Sequence, residues 1–157
     1  MRIVLIQASG YTAPMVETTQ TRDALRAQVS RLMSDHGIGV TPQRVEVGQV
    51  LFARPQHLSA DQILAQLRAA GSRVSKATVY NTLNLFSEKG MVRTLTVDGD
   101  RQIYDPTTTP HHHFYNVDTG ELYDIPHDTL VMQGLPEPPG GTTHDGVEII
   151  VRVRNTG

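Results

Sequence analysis

The sequence predicts an α+β chain in two parts, helical first and sheet-forming second. Apolar residues recur at helical spacing from Thr21 to Lys89, and past Gly90 the period shortens to two. The charge changes along the same line. Met1 to Lys89 carries ten Lys/Arg against six Asp/Glu, a net +4, whereas Pro106 to Gly157 carries two against seven, a net −5. A basic half beside an acidic, histidine-bearing half suits a polyanion for the first and cations for the second.

Residues 1–20 lack periodicity and contain Gly10 and Pro14, which predicts an irregular leader. The apolar run at its start is short, with one positive charge, so it does not read as a signal peptide. The first helix is expected over Thr21 to His36 on Leu25, Val29 and Leu32, with Asp23 near its start, His36 as a C-terminal cation and Gly37 as a stop. Thr41-Pro42 pairs a capping hydroxyl with proline at the first helical position and opens a second helix bearing Val45, Val47, Val50, Leu51 and Phe52. Ser59 caps a third, with Ile63, Leu64 and Leu67 facing inward and Gly71 ending it; Ser75 caps a fourth from Lys76 to Lys89, with Val79, Leu83 and Phe86 on one stripe. Val92 to Val97, the turn Asp98-Gly99-Asp100, and Arg101 to Tyr104 then read as a hairpin.

Helices followed directly by a hairpin read as a winged helix-turn-helix over 21–105. In that fold the fourth helix enters the major groove and the hairpin lies along the backbone. Lys76, Thr78, Tyr80 and Asn81 near its start, with Arg44 on the second helix, are the residue types that reach base edges and phosphates. The remainder, 106–157, is expected to be a small α/β dimerisation domain. Its strands are His111 to Val117 and Glu121 to Ile125 around Asp118-Thr119-Gly120, then a short helix over Asp128 to Gln133, an irregular Leu135 to Gly141, and a last strand over Val147 to Arg154. Three strands and one small helix have too little core to stand alone, so pairing with a second copy is expected. That arrangement also suits a palindromic DNA site with two half-sites.

The chemistry concentrates in His111-His112-His113. On a strand successive side chains point to opposite faces, so His111 and His113 share one face and can grip one metal ion, while His112 faces elsewhere. Imidazole suits zinc, ferrous iron, manganese or nickel. The chain has no cysteine, which excludes disulfides, thiolate sites and cysteine nucleophiles and fits a cytoplasmic protein. Further ligands are available in His57, Asp105, Glu121, His127, Asp128, His144 and Glu148. No stretch approaches the roughly 18–20 apolar residues of a membrane span, so no membrane partner is expected.

Thr41-Pro42-Gln43-Arg44, His57-Leu58-Ser59-Ala60-Asp61, Ala77-Thr78-Val79-Tyr80-Asn81-Thr82-Leu83 and the histidine strand leading to Asp118-Thr119-Gly120-Glu121 resemble, in order, the ferric uptake regulator family. Asn84, the unbroken triplet and the ending Val147 to Arg154 are most similar to its iron response regulator branch. The resemblance implies a regulatory metal site of His57, Asp105, His111 and His113, and a second site of His112 with Glu148 and His127. It implies Fe(II) or Mn(II) as the native ion, Zn(II) as an in-vitro occupant, haem as a further ligand of the triplet, and double-stranded, AT-rich, palindromic operator DNA as partner of a homodimer. The chain departs from the family pattern in three ways. The zinc-holding cysteine pair would fall at Asn116 and Thr119, the lysine preceding the Thr-Pro segment falls at Gly39, and the N-terminal Cys-Pro haem motif cannot exist. The expected function is an iron-responsive transcriptional regulator and not an enzyme; the alternatives are a metal store or chaperone without DNA affinity, and a metalloenzyme.

Overall fold

The computed structural model describes residues 22–157, so the leader expected over 1–20 lies outside the described residues. The chain forms two compact units that part between Thr108 and Thr109.

The first unit holds α1 (Arg22–Asp35), α2 (Pro42–Phe52), α3 (Ala60–Ala69), α4 (Lys76–Glu88), β1 (Arg93–Thr96) and β2 (Gln102–Asp105). Three helix starts are fixed by the caps named from sequence. Thr41 accepts from the Arg44 N–H, Ser75 accepts from Thr78, and Ser59 and Gln62 form a reciprocal capping box. Val29 and Met33 of α1 pack with Val45, Val47 and Leu51 of α2, Ile63 and Leu67 of α3, and Val79, Leu83 and Phe86 of α4. Leu64, expected to face inward, is only partly buried, because the helical period puts Ile63 and Leu67 on the core stripe and turns Leu64 to its rim. Gly48 lets α1 and α2 approach closely: a Cβ there would sit 2.5 Å from Val29 Cγ1.

β1 and β2 form the antiparallel wing, with Leu95 opposite Ile103 and Arg93 opposite Asp105. One backbone bridge fastens the segment before α3 to this wing. Leu58 N–H donates to the Tyr104 carbonyl at 3.2 Å, and Tyr104 N–H donates back at 2.8 Å.

The second unit is a three-stranded sheet in the order β4 (Leu122–Pro126), β3 (His111–Asn116), β5 (Ile150–Val153), with β3 antiparallel to β4 and parallel to β5. The helix expected over Asp128 to Gln133 is not formed. A single 3-10 turn, His127–Thr129, stands there instead, and residues 130–149 have no regular element. The seven residues between Pro126 and a left-handed Gly134 cannot meet the cost of helix nucleation. The irregular stretch serves as the connection that takes the chain from β4, on one side of β3, to β5 on the other. The last strand is also shorter than expected, Ile150–Val153 within Val147 to Arg154.

Candidate metal centre and nucleic-acid interface

In the second unit, strand geometry sorts the triplet as its sequence implies. His111 and His113 lie on one face with ring centroids 4.5 Å apart, and both are buried. Across the sheet, β4 places Asp124 directly opposite His113, and Asp124 Oδ1 lies 3.5 Å from His111 Nε2 and 3.7 Å from His113 Nε2. These separations are long for charge-assisted hydrogen bonds, which run at about 2.7–2.9 Å. They are closer to the spacing of co-ligands: metal–nitrogen and metal–oxygen bonds of about 2.0–2.2 Å put neighbouring donors roughly 3.0–3.4 Å apart.

The far side of each ring supports the same use. His111 Nδ1 is 2.7 Å from the Thr109 carbonyl, and His113 Nδ1 is 3.4 Å from Glu148 Oε1. At His111 an Nδ1–H directed at the Thr109 carbonyl leaves Nε2 as the lone-pair donor and holds the ring in place, the arrangement that orients histidine ligands. At His113 the Glu148 carboxylate stands within ion-pair range of Nδ1. Two imidazoles and one carboxylate therefore form a hard nitrogen-and-oxygen donor set that fits a first-row divalent ion.

Asp124 was not among the sequence candidates. The expected turn at Asp118-Thr119-Gly120 would put Ile125 opposite His113. The observed loop is the four residues 117–120, with Asn116 bonded to Glu121 and to the Gly120 N–H, and this puts Asp124 there instead.

In the first unit, the Leu58–Tyr104 bridge sets His57 beside Asp105, with His57 Nε2 3.5 Å from Asp105 Oδ2. Asp105 is buried, and its other oxygen accepts from the Thr107 N–H at 2.7 Å. Each unit thus carries its own histidine–carboxylate group.

His112 faces the other way. Its Nδ1 accepts from the Ile149 N–H at 3.3 Å and its ring lies 5.2 Å from that of His127. Burial, then the neighbouring His127, draws the His112 imidazole below its ordinary pKa, while Glu148 opposes the shift. Glu148, placed with His112 by the family resemblance, makes a 3.4 Å contact with His113. Glu121 takes hydrogen bonds from the Thr119 and Tyr123 hydroxyls, and Asp128 and His144 are exposed.

On the α4 side of the first unit, Thr41, Gln43, Arg44, Thr78, Asn81 and Thr82 line a hollow of about 260 Å³. Arg44 spans back to the Gly39 carbonyl at 2.7 Å, and Thr78 shares its hydroxyl with Ser75 at 2.9 Å. Lys76 and Tyr80 both reach Asp61. Asn81 is exposed beside them. The five residues named as DNA readers thus stand around the start of α4 and of α2.

Residues 35–134 match the Ferric uptake regulator family. The chain belongs to that family. The ferric uptake regulation protein of Pseudomonas aeruginosa is 34% identical over 113 residues, 71% of this chain and 75% of that one. The peroxide operon regulator of Bacillus subtilis is 32% identical over 93 residues, covering 59% of this chain and 64% of its own length. Among solved structures, the Vibrio cholerae ferric uptake regulator aligns with a TM-score of 0.63 at 21% identity, over 80% of this chain and 98% of its own. The Pseudomonas aeruginosa regulator with manganese aligns at 0.61 and 24%, over 82% and 98%. These likenesses establish the ferric uptake regulator fold for this chain, including its α+β class and winged helix-turn-helix. Among the described residues no helix is long and apolar enough to cross a membrane.

Proposed function

We propose that this member of the ferric uptake regulator family is a transcriptional regulator that reads operator DNA through α4 and senses iron through His57, Asp105, His111 and His113, with Asp124 as a further donor beside His111 and His113. The observation that carries the sensing assignment is the co-facial pair His111 and His113, each with Nε2 toward Asp124 and Nδ1 toward a backing oxygen. Donor chemistry favours Fe(II) or Mn(II) as the resident ion, with Zn(II) able to replace it. The curated relatives include iron and peroxide regulators, and solved relatives are described with manganese and with iron.

The ion supplies a divalent charge that the two imidazoles and the carboxylates can share. Within the wing unit, His57 and Asp105 form a histidine–carboxylate pair of the same donor chemistry. Such sharing alters DNA affinity only to the extent that the ion prefers one arrangement of the two units. The regulator works as a cytoplasmic homodimer on palindromic, AT-rich DNA. The outer face of its sheet supports this reading, since Phe114 and Tyr123 stand exposed opposite one another across β3 and β4.

Gel shifts on palindromic AT-rich duplexes test this assignment. A shift that changes when Fe(II) or Mn(II) is added supports it. Duplexes left unbound with and without metal, and with and without haem, would leave a metal store as the function.

A further inference from the structure

Resting on the DNA-reading assignment above, we propose that Asp61 is a specificity-determining residue of the DNA interface, positioning Tyr80 and holding Lys76 away from phosphate. Asp61 lies in the first turn of α3, and its Oδ1 receives both partners from α4. Tyr80 Oη donates at 3.1 Å and Lys76 Nζ stands at 3.4 Å. Lys76 Nζ also lies 5.5 Å from the centroid of the Tyr80 ring, which closes the three side chains into one cluster. Lys76 and Tyr80 are one helical turn apart, on the same face of α4.

The triad is not explained by stability. The Lys76 and Asp61 side chains are 63% and 70% exposed, and ion pairs in water contribute little to a fold. The start of α3 is already capped by Ser59 and Gln62. Its location is informative: Asp61 and Tyr80 line a hollow of about 370 Å³ together with Asp100, Arg101 and Gln102 of the wing tip. A carboxylate between a reading helix and a wing faces the phosphate backbone, where it repels every sequence alike. It also ties up a lysine that would otherwise bind any duplex. The tyrosine, held by its hydroxyl, keeps a fixed ring for a base edge. Sequence-independent affinity is lowered and sequence-dependent contact is kept, which is how repulsion produces specificity.

The test compares two duplexes of equal length, one recovered by the wild-type protein from a random-centred library and one scrambled, over a range of salt. Asp61→Asn removes the charge and leaves an oxygen for Tyr80. Its plot of log affinity against log salt should steepen by about one on both duplexes, with the selected-to-scrambled ratio near that of wild type. Asp61→Ala removes the oxygen as well, and the ratio should fall by roughly tenfold, the scale of one base contact. Tyr80→Phe should lower the ratio without changing the slope, and the double variant should fall no further than Tyr80→Phe alone. Far-ultraviolet circular dichroism and thermal midpoints establish that each variant is folded. A folded Asp61→Ala protein with the wild-type ratio and slope overturns the proposal. Failure of the wild type to enrich any duplex overturns the DNA-reading assignment, and this inference with it.

Discussion

Asp124 shows how single residues acquire a role from register. Its side chain is half-buried, and it meets two imidazoles because β4 pairs with β3 at that point and not one residue along. Replacing Asp124 with Ala should weaken Mn(II) or Co(II) binding by roughly 10–100-fold, whereas His144→Ala, in an exposed loop, should leave it unchanged; isothermal titration measures both. Glu148→Gln, which removes the carboxylate charge beside His113, should cost about tenfold on the same scale. The pairing of His111 with His113 was legible in the sequence because a strand has a period of two. Asp124 was not legible, because the expected turn at 118–120 sets Ile125 opposite His113 and the observed loop is one residue longer. The contact of His57 with Asp105 was not derivable from spacing, since it depends on a lone bridge between Leu58 and Tyr104, and only family resemblance pointed to it. Asn116 and Thr119, the positions at which the family resemblance places a cysteine pair, make hydrogen bonds. Asn116 Oδ1 accepts from the Asp118 and Thr119 N–H groups, and its amide donates to Asn155 at 2.8 Å.

Among the elements, those with their own start signals were the readable ones. α2, α3 and α4 begin at the residues expected because a hydroxyl side chain at each N-cap satisfies backbone N–H groups that nothing else would. Capping is local chemistry, so it can be read locally. The segment after β4 has no such signal: Pro126 precedes it, Gly134 ends it, and its apolar residues Val131 and Met132 are adjacent and exposed. The close contact of α1 with α2 was equally hidden, because a glycine inside a helix reads as a weakness until the neighbouring helix is known. Gly48→Val should therefore destabilise the wing unit by about 1–3 kcal/mol through overpacking against Val29, measured as a lower urea midpoint at an unchanged slope.

At the scale of the whole molecule, the charge split follows the two units: a basic one carries α4, the proposed reading helix, and an acidic one carries the histidine strand. The sheet unit exposes Phe114 and Tyr123 on the face opposite His111 and His113, so pairing with a second copy would cover aromatic area that a three-stranded sheet cannot bury alone. Phe114→Asp should shift the protein from dimer to monomer in sedimentation velocity and weaken binding to a palindrome more than to a half-site. The most direct test of iron sensing is operator binding titrated with Fe(II), Mn(II) and haem in the wild type and in His113→Ala. Wild-type affinity should change with Fe(II) or Mn(II), and His113→Ala should keep its operator preference while losing that response. A His113→Ala protein that answers every ligand as the wild type does would show that the histidine strand is not the sensor.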